Sequence, residues 1–124
     1  MGFLNELMGN ASEVSVEKLQ EEFTPLLASN EQMVKAFKLV RDVFVFTNKR
    51  LILVDKQGLT GRKAEYLTIP YKSIEKFSKE SAGLLDLDAE LKIWIKGENE
   101  PLVKEFGKGS NVNEAYQVLS EYVL

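Results

Sequence analysis

The chain has 124 residues, of which 44% are hydrophobic and 28% are charged, and its formal net charge at pH 7 is -3. It contains no cysteine and no histidine, which excludes disulfide bonds, zinc–thiolate sites and catalysis by either side chain. The acidic balance argues against general nucleic-acid binding, and no apolar run is long enough for a transmembrane helix. Because residues 1–12 also lack the basic start of a signal peptide, we expect a cytoplasmic protein. We expect no cofactor.

Residues 1–30 have the spacing of two short helices. The apolar residues that share one face of the first helix are Phe3, Leu4, Leu7 and Met8. Those of the second helix are Val16, Leu19 and Phe23, and Pro25 ends or kinks it. We therefore expect an N-terminal helical appendage over residues 1–30 and a folded domain over residues 31–124.

The pattern changes to that of β-strands in residues 33–54. Residues 33–39 alternate loosely between apolar and polar, and residues 43–47 are β-branched and aromatic. Asn48 and Lys49 have the composition of a tight turn, and residues 50–54 form a further apolar run. The sequence therefore predicts three strands here, the last two of them joined by a tight hairpin.

The segment VDKQGLTGRKAEY, residues 54–66, contains two glycines and several bases. A phosphate-binding loop needs the spacing G-x-x-x-x-G-K-[ST] followed by a helix, so that backbone N–H groups face the anion. Here Gly58 and Gly61 are too close together, and an extended pattern follows over residues 65–71. The segment predicts a hairpin turn. The alternative is weak anion binding by the basic residues Lys49, Arg50, Lys56, Arg62 and Lys63.

The clearest strand signal lies in LDLDAELKIWIK, residues 85–96. Six apolar residues alternate with polar ones, and this period of two predicts an antiparallel strand with one wet face. Shorter strands are expected over residues 73–78 and 101–106, and Pro70 places the end of the preceding strand at a sheet edge. The chain ends in a helical stripe formed by Val112, Ala115, Tyr116, Leu119, Tyr122 and Val123.

These elements predict a mainly β fold of about seven strands and one C-terminal helix. Antiparallel strands on short links curl into a barrel or a bent sandwich, and the last helix can close its open end.

Local motifs agree with this layout. They are Thr47-Asn48-Lys49-Arg50, Ile69-Pro70-Tyr71 with Ile74, Ala82-Gly83, and residues 86–94. Through these motifs, residues 42–97 resemble the bacterial pleckstrin-homology domain family. The resemblance implies an α+β, pleckstrin-homology-like fold: a seven-stranded bent β-sandwich or partly open barrel capped by a C-terminal α-helix. It also implies a cytoplasmic bacterial protein that assembles with copies of itself into a ring, and it implies no known biochemical activity.

Many eukaryotic relatives of this fold bind inositol phosphates through basic residues of the first hairpin, in the pattern K-x(n)-R-x-R. Lys38 and Arg41 fall in that hairpin here, but Asp42 and apolar residues follow, so the pattern is absent. A specific phosphoinositide site is therefore not expected. Membrane binding by the first helix is also disfavoured, because its polar side carries Glu6 and no base.

Two apolar features predict contact surfaces. Trp94 lies on the polar face of the best strand, where it either covers lysine side chains or is buried in a subunit interface. The apolar face of the first helix either docks on its own domain or meets another subunit or partner protein.

Three functions remain open from the sequence. The first is a non-enzymatic module that associates with itself and presents a partner surface. The second is a monomeric binder of an anionic ligand or membrane surface. The third, ranked last, is an enzyme that uses Asp86, Asp88 and Glu90, which follow each other along one strand face at spacings of about 6.6 Å. Such a line of carboxylates does not by itself converge on a metal, and a solvated face is the simpler interpretation.

Overall fold

The computed structural model describes residues 13–14, 16–39, 42–57, 63–81, 89–107 and 112–124. The strands in these ranges are β1 (Glu13–Val14), β2 (Met33–Lys38), β3 (Asp42–Thr47), β4 (Arg50–Gln57), β5 (Lys63–Pro70), β6 (Ile74–Ser81), β7 (Ala89–Ile95) and β8 (Leu102–Phe106). The helices are α1 (Val16–Phe23) and α2 (Val112–Val123), with 3-10 turns at Thr24–Leu26 and Tyr71–Ser73. The prediction of seven strands and a C-terminal helix is confirmed, and the two-residue β1 is an addition to it.

Five strands form one antiparallel sheet in the order β1-β2-β3-β4-β5. Its central strand, β3, is buried along its whole length. Because successive side chains of a strand point to opposite faces, Phe44 and Phe46 enter one apolar cluster and Val43 and Val45 enter another. A strand that is covered on both faces needs apolar residues at successive positions, which explains the continuous apolar run of β3.

The remaining strands form a second antiparallel sheet in the order β6-β7-β8. In β7, Leu91 and Ile93 are fully buried, whereas Lys92 and Trp94 are only half-buried. The predicted alternation with one wetter face is thus confirmed for residues 89–95. The part of the prediction that covers residues 85–88 lies outside the described residues.

The main core lies between the two sheets and brings together residues distant in the chain. Phe106 of β8 packs against Phe37 and Phe44, at ring-centroid distances of 6.2 and 6.1 Å. Among the described residues, however, β5 pairs only with β4 and β6 only with β7. The chain turns from one sheet into the other at Tyr71–Ser73. The predicted bent sandwich is therefore confirmed, and among the described residues its two sheets do not close into a barrel.

The C-terminal helix α2 packs on this core through its predicted apolar stripe. Ala115 and Leu119 are fully buried. Tyr116 meets Phe77 of β6 edge to face, with ring centroids 5.3 Å apart, and Tyr122 stacks on Tyr71 at 5.0 Å. The helix thus covers apolar side chains that the two open sheets would otherwise expose.

Helix α1 covers the other face of the five-stranded sheet. Leu19 and Phe23 form a second apolar cluster with residues of β2, β3 and β4, namely Ala36, Val43, Val45, Ile52 and Val54. Pro25 follows the helix in a 3-10 turn, as predicted. The earlier predicted helix, with Phe3, Leu4, Leu7 and Met8, lies outside the described residues, and the domain boundary at residue 31 stays a prediction. No helix in the described ranges is long and apolar enough to span a membrane.

The glycine-containing segment connects two paired strands. The register of β4 and β5 runs from Arg50 opposite Pro70 to Gln57 opposite Lys63. The predicted hairpin is therefore confirmed, although its strands reach further into the segment than the sequence indicated, and residues 58–62 lie outside the described part of the chain. β5 is the last strand of its sheet, as Pro70 predicted.

Candidate functional site

The side of the three-stranded sheet that faces away from the core has no helix over it in the described part of the chain. Leu91 and Ile93 of β7 point into the core, so alternation places Glu90, Lys92 and Trp94 on the opposite side. Residues paired with them on β6 and β8 extend this side across the sheet. We call it the outer face and define it by Lys76, Ser78, Glu80, Glu90, Lys92, Trp94, Val103 and Glu105.

Trp94 lies at one end of the outer face, beside a lysine of the neighbouring strand. It is paired in register with Lys76, whose Nζ lies 5.0 Å from the centroid of the indole ring. This is a cation–π distance, at which the ammonium is attracted by the electron-rich ring face. Trp94 is half-buried within the chain itself. The expectation that it lies against a lysine is confirmed, and its burial in a subunit interface stays a prediction.

The middle of the outer face combines an ion pair with an exposed apolar side chain. Lys92 Nζ lies 3.5 Å from Glu80 Oε1. On its other side Lys92 is paired in register with Val103 of β8, which is 47% exposed. Val103 and the half-buried Trp94 therefore place apolar surface on a sheet face that is otherwise charged.

The opposite end of the outer face is a row of glutamates. Glu90 is directly opposite Glu80 on one side and Glu105 on the other. Adjacent strands are about 4.8 Å apart, so three carboxylates share a narrow band across the sheet. Like charges in directly opposed positions destabilise a sheet. The outer face is thus acidic at one end and carries Lys76 and Trp94 at the other.

The structure describes only part of the line of carboxylates that was considered as a catalytic site. Glu90 is half-buried on the outer face, whereas Asp86 and Asp88 lie outside the described residues. Within the described ranges, no group of three or more acidic side chains is arranged to hold a metal ion. Glu80 and Glu105, which lie beside Glu90, are therefore not arranged with it as a metal site within these ranges.

Arg50, considered as an anion ligand, is engaged by a carboxylate of its own chain. Its Nε and Nη2 donate to the two oxygens of Glu31 at 2.7 and 2.9 Å. Nη1 donates to Thr68 Oγ1 at 2.8 Å, and Nη2 also donates to the backbone carbonyl of Leu26 at 2.9 Å. All three nitrogens of the guanidinium therefore have acceptors within the chain.

Glu31 is held in this position by further donors. Its carboxylate accepts hydrogen bonds from the Thr47 hydroxyl at 2.6 Å and from the backbone N–H of Ala28 at 2.9 Å. Only 1% of its side chain is exposed. The hydrogen bond from Arg50, followed by those from Thr47 and Ala28, outweighs the effect of burial and lowers the pKa of Glu31 to about 2. The network fixes the segment before β2 to the β3–β4 turn.

The basic residues of the anion-binding alternative are not gathered in one place. Lys49 is exposed at the β3–β4 turn, while Lys63 is exposed where β5 begins, opposite Gln57. The seven residue steps from Arg50 to Gln57 correspond to about 23 Å at roughly 3.3 Å each. Arg62 and the side chain of Lys56 lie outside the described parts. The structure therefore places Lys49 and Arg50 at the opposite end of β4 from Lys63, so these three bases do not form one anion site.

A groove of about 380 Å³ between β2 and α2 was not predicted from the sequence. Val34, which is 38% exposed, lies on its β2 side at an irregularity in the register between Met33 and Lys35. Val118 and Tyr122 line the α2 side. Only the interruption of the alternation in residues 33–35 could have indicated that Val34 would turn outward.

Comparisons with known proteins agree with this architecture. A family model described as the bacterial PH domain matches residues 2–123. The chain is 54% identical over 121 residues to the uncharacterized protein YjqA of Bacillus subtilis (strain 168), covering 97% of each sequence.

Two crystal structures from Shewanella are also similar. One is a DUF1696 family protein with a pleckstrin-homology domain from Shewanella loihica PV-4, with 50% identity, a TM-score of 0.83 and coverage of 93% of this chain and 98% of that one. The other is a pleckstrin homology domain from Shewanella amazonensis SB2B, with 55% identity, a TM-score of 0.81 and 99% coverage of both chains. The chain therefore belongs to the bacterial PH domain family.

Proposed function

We propose that this chain is a non-enzymatic, cytoplasmic protein-interaction module that associates with copies of itself through the outer face of the three-stranded sheet. The observation that carries the proposal is the asymmetry between the two sheets. The outer side of the five-stranded sheet is covered by Leu19 and Phe23 of α1, whereas the outer face, with Trp94 and Val103, has no cover among the described residues.

The charges of the outer face favour a second copy as the partner. Glu80 and Glu90 lie at one end of the face, and Lys76 lies beside Trp94 at the other. A twofold axis that runs across the strands reverses the strand direction of the second copy. The acidic end of one copy then faces the basic and aromatic end of the other, with Val103 near the middle.

The chemistry of this surface supports a packing role rather than catalysis. Tryptophan is enriched at the centres of protein interfaces because it combines a large apolar area with a polar N–H. Lys76 Nζ lies over the indole at 5.0 Å, and because Trp94 is only half-buried, part of the ring remains within reach of a partner.

Molar mass in solution tests the proposal. Size-exclusion chromatography with light scattering should give a multiple of 14.1 kDa for the wild type at tens of micromolar. Trp94→Ala should shift the protein toward the monomer, because truncation of a buried interface tryptophan commonly weakens binding by about 2 kcal/mol or more. Leu26→Ala is the matched control, because Leu26 is also an exposed apolar residue, at 43%, but lies away from the outer face.

A second variant separates the interface from folding. Glu80→Lys should also weaken the assembly, because it places a base opposite Lys76 of the second copy, while far-ultraviolet circular dichroism should remain that of the wild type. A strictly monomeric wild type would rule out self-association. An assembly that Trp94→Ala and Glu80→Lys both leave intact would show that the outer face does not carry it.

A further inference from the structure

The groove between β2 and α2 is a surface separate from the outer face. The lining residues that the structure describes belong to β2 and α2 and not to the strands of the outer face. On the helix they follow one another at helical spacing along one side: Glu114, Gln117, Val118, Glu121 and Tyr122. The volume of about 380 Å³ is near the lower end of the roughly 300 to 1,000 Å³ usual for ligand clefts, so the groove holds a few side chains.

An extra residue in β2 shapes the strand side of this groove. Met33 and Ala36 both pack in the apolar cluster beneath α1. Residues three positions apart point to opposite faces of a regular strand, so these two share a face only because the register shifts between Met33 and Lys35. Val34 and Lys35 consequently both line the groove. In the described part of the chain β1 pairs with β2 only at Ala36 and Phe37, so no strand covers the edge of β2 at Val34.

Three apolar side chains give the groove a fixed surface. Val34 is 38% exposed, whereas Val118 lies against the main core. The half-buried ring of Tyr122 stacks on Tyr71, with ring centroids 5.0 Å apart, and this stacking holds it in place. A branched side chain and a packed ring have little freedom left to lose, so contact with them costs little conformational entropy.

The groove has an excess of negative charge at one end. Its described lining contains two glutamates and one base, Lys35, whose Nζ lies 3.1 Å from Glu114 Oε1. The other glutamate, Glu121, belongs to the last turn of α2, which has no basic residue. The backbone carbonyls at this end of a helix add partial negative charge, and the face of an aromatic ring such as that of Tyr122 attracts cations. A positively charged group is therefore favoured beside Glu121 and Tyr122.

We propose that this groove binds an extended segment of a second protein that carries an apolar residue and, two positions away, a lysine or arginine. The apolar side chain packs between Val34 and Val118, and the base lies on the ring of Tyr122 beside Glu121. Val118 and Tyr122 are about 6 Å apart along the helix, and residues two positions apart in an extended chain are separated by about 6.6 Å. The two contacts thus match side chains on the same side of one extended segment.

The same charges disfavour an anionic occupant. A phosphate group or an anionic membrane surface at this end of the groove would meet Glu121 and the carbonyl end of α2. This inference goes beyond the proposed self-association and does not depend on it, because the groove and the outer face have no described residue in common. A protein that assembles through the outer face can therefore bind a different protein in the groove.

A peptide library tests the chemistry of the partner. The probe is a combinatorial library of heptapeptides, acetylated and amidated so that their ends carry no charge, presented to the full chain. Bound peptides should be enriched in an apolar residue two positions from a lysine or arginine. An enriched peptide labelled with fluorescein should bind less tightly as sodium chloride is added, because its base is attracted by charge. Enrichment of acidic peptides, or of none, would overturn the proposal.

Charge exchange shows whether the peptide lies in the groove. Glu121→Lys should weaken binding of the enriched peptide about tenfold or more, measured by fluorescence anisotropy. A peptide in which glutamate replaces the base should bind this variant better than it binds the wild type. Glu98→Lys makes the same charge change at an exposed turn and should leave the affinity unchanged.

The apolar contact has its own variant and control. Val34→Asp should weaken peptide binding about tenfold or more, because it places a charge where the apolar side chain packs. Leu26→Asp makes the same kind of change at an exposed residue outside the groove and should have no effect. Far-ultraviolet circular dichroism confirms that each variant is folded. Binding that both Glu121→Lys and Val34→Asp leave intact would show that the peptide does not occupy the groove, and would overturn the proposal.

Light scattering separates this inference from the proposed function. Glu121→Lys should leave the molar mass of the wild type unchanged, and Trp94→Ala should leave the affinity for the peptide unchanged. If Glu121→Lys dissociated the assembly, the groove would be filled by another copy of this chain and the proposal of a second protein would be overturned. A wild type that is monomeric and binds the peptide would rule out self-association and support the groove inference.

Discussion

The Arg50 guanidinium binds the Glu31 carboxylate with two hydrogen bonds, from Nε to Oε2 at 2.7 Å and from Nη2 to Oε1 at 2.9 Å. The two residues are 19 positions apart, and the pair joins the turn before β2 to the start of β4. Because both donor nitrogens and both acceptor oxygens are used, the geometry is the bidentate one that gives Arg–carboxylate pairs their strength.

Removal of the Glu31 charge should therefore be costly. We expect Glu31→Gln to lower the free energy of unfolding by about 3 kcal/mol, because it leaves the Arg50 charge without its partner in a largely buried site. Urea denaturation followed by tryptophan fluorescence measures the change. Glu98→Gln, which makes the same charge change at an exposed turn, should stay within about 0.5 kcal/mol of the wild type.

A double-variant cycle measures the interaction energy between Glu31 and Arg50 separately from their contacts with other residues. Glu31→Gln combined with Arg50→Met should cost less than the sum of the two single changes, because neither charge then remains unpaired. Additive losses would mean that the two side chains act independently, contrary to the geometry.

The same pair predicts a dependence of stability on pH. The hydrogen bond from Arg50 lowers the pKa of Glu31 from 4.5 to about 2 in the folded protein. Because folding lowers this pKa, the ionised Glu31 carboxylate stabilises the folded protein in full above about pH 4.5. This contribution to stability is lost as the pH falls toward 2. At 1.36 kcal/mol per pKa unit this contribution is about 3 kcal/mol, which agrees with the cost expected for Glu31→Gln.

Comparison with Glu31→Gln isolates this contribution from those of the other carboxylates. The difference in unfolding free energy between wild type and variant should be constant from pH 7 to about pH 5 and should shrink between pH 4.5 and pH 2. At the acidic limit Glu31 is protonated and resembles glutamine. A difference that does not change with pH would contradict the lowered pKa.

The sequence predicts the strands well because their signals are local. The alternation in β7 shows that one face of the strand is buried, and the continuous apolar run of β3 shows that both faces are. Neither pattern requires knowledge of the partner strand. The hairpin of β4 and β5 was equally accessible, because the spacing of Gly58 and Gly61 excluded a phosphate loop. β1 was missed because two residues are too few to show a period.

The contacts of the candidate sites depend on register and were therefore not predictable. Trp94 meets Lys76, and Glu90 lies between Glu80 and Glu105, only because three strands pair in one particular alignment. Likewise, no local sequence pattern indicates that Glu31 and Arg50 form a pair. Composition indicated a basic segment, but the extended geometry of β4 places its bases at opposite ends.

A buried tyrosine anchors the corner between the two sheets. The Tyr71 hydroxyl donates to the backbone carbonyl of Thr47 at 2.6 Å, and burial of the ring raises the pKa of this hydroxyl. Tyr71→Phe should lower the free energy of unfolding by about 1 to 2 kcal/mol, because it leaves the Thr47 carbonyl without this donor. Urea denaturation again measures the change.

The neighbouring tyrosine provides a matched control for this substitution. Tyr122 stacks on Tyr71, but its hydroxyl makes no hydrogen bond to the described residues. Tyr122→Phe should therefore preserve the stacking and change stability by less than about 0.5 kcal/mol. Equal losses for the two variants would show that the hydroxyl of Tyr71 contributes nothing beyond the ring.

The glutamate row of the outer face predicts a stabilising substitution. Glu90 has a glutamate directly opposite it on each side, and of these three glutamates only Glu80 has a base within ion-pair distance in the described part of the chain, Lys92 at 3.5 Å. Glu90→Gln removes both like-charge contacts and keeps the size of the side chain. We expect it to raise the free energy of unfolding by about 0.5 kcal/mol, and Glu90→Lys to raise it further.

Salt distinguishes this electrostatic origin from a change in packing. Repulsion between carboxylates is screened as the ionic strength rises, so the gain from Glu90→Gln should be largest in dilute buffer and decline toward 1 M sodium chloride. Glu98→Gln makes the same change in net charge at an exposed turn and serves as the control. A loss of stability of the monomeric domain in Glu90→Gln would contradict this prediction. It would mean that another group compensates the charge of the glutamate row. In the assembled protein the same variant should weaken self-association, because Glu90 faces the basic end of the second copy in the proposed interface.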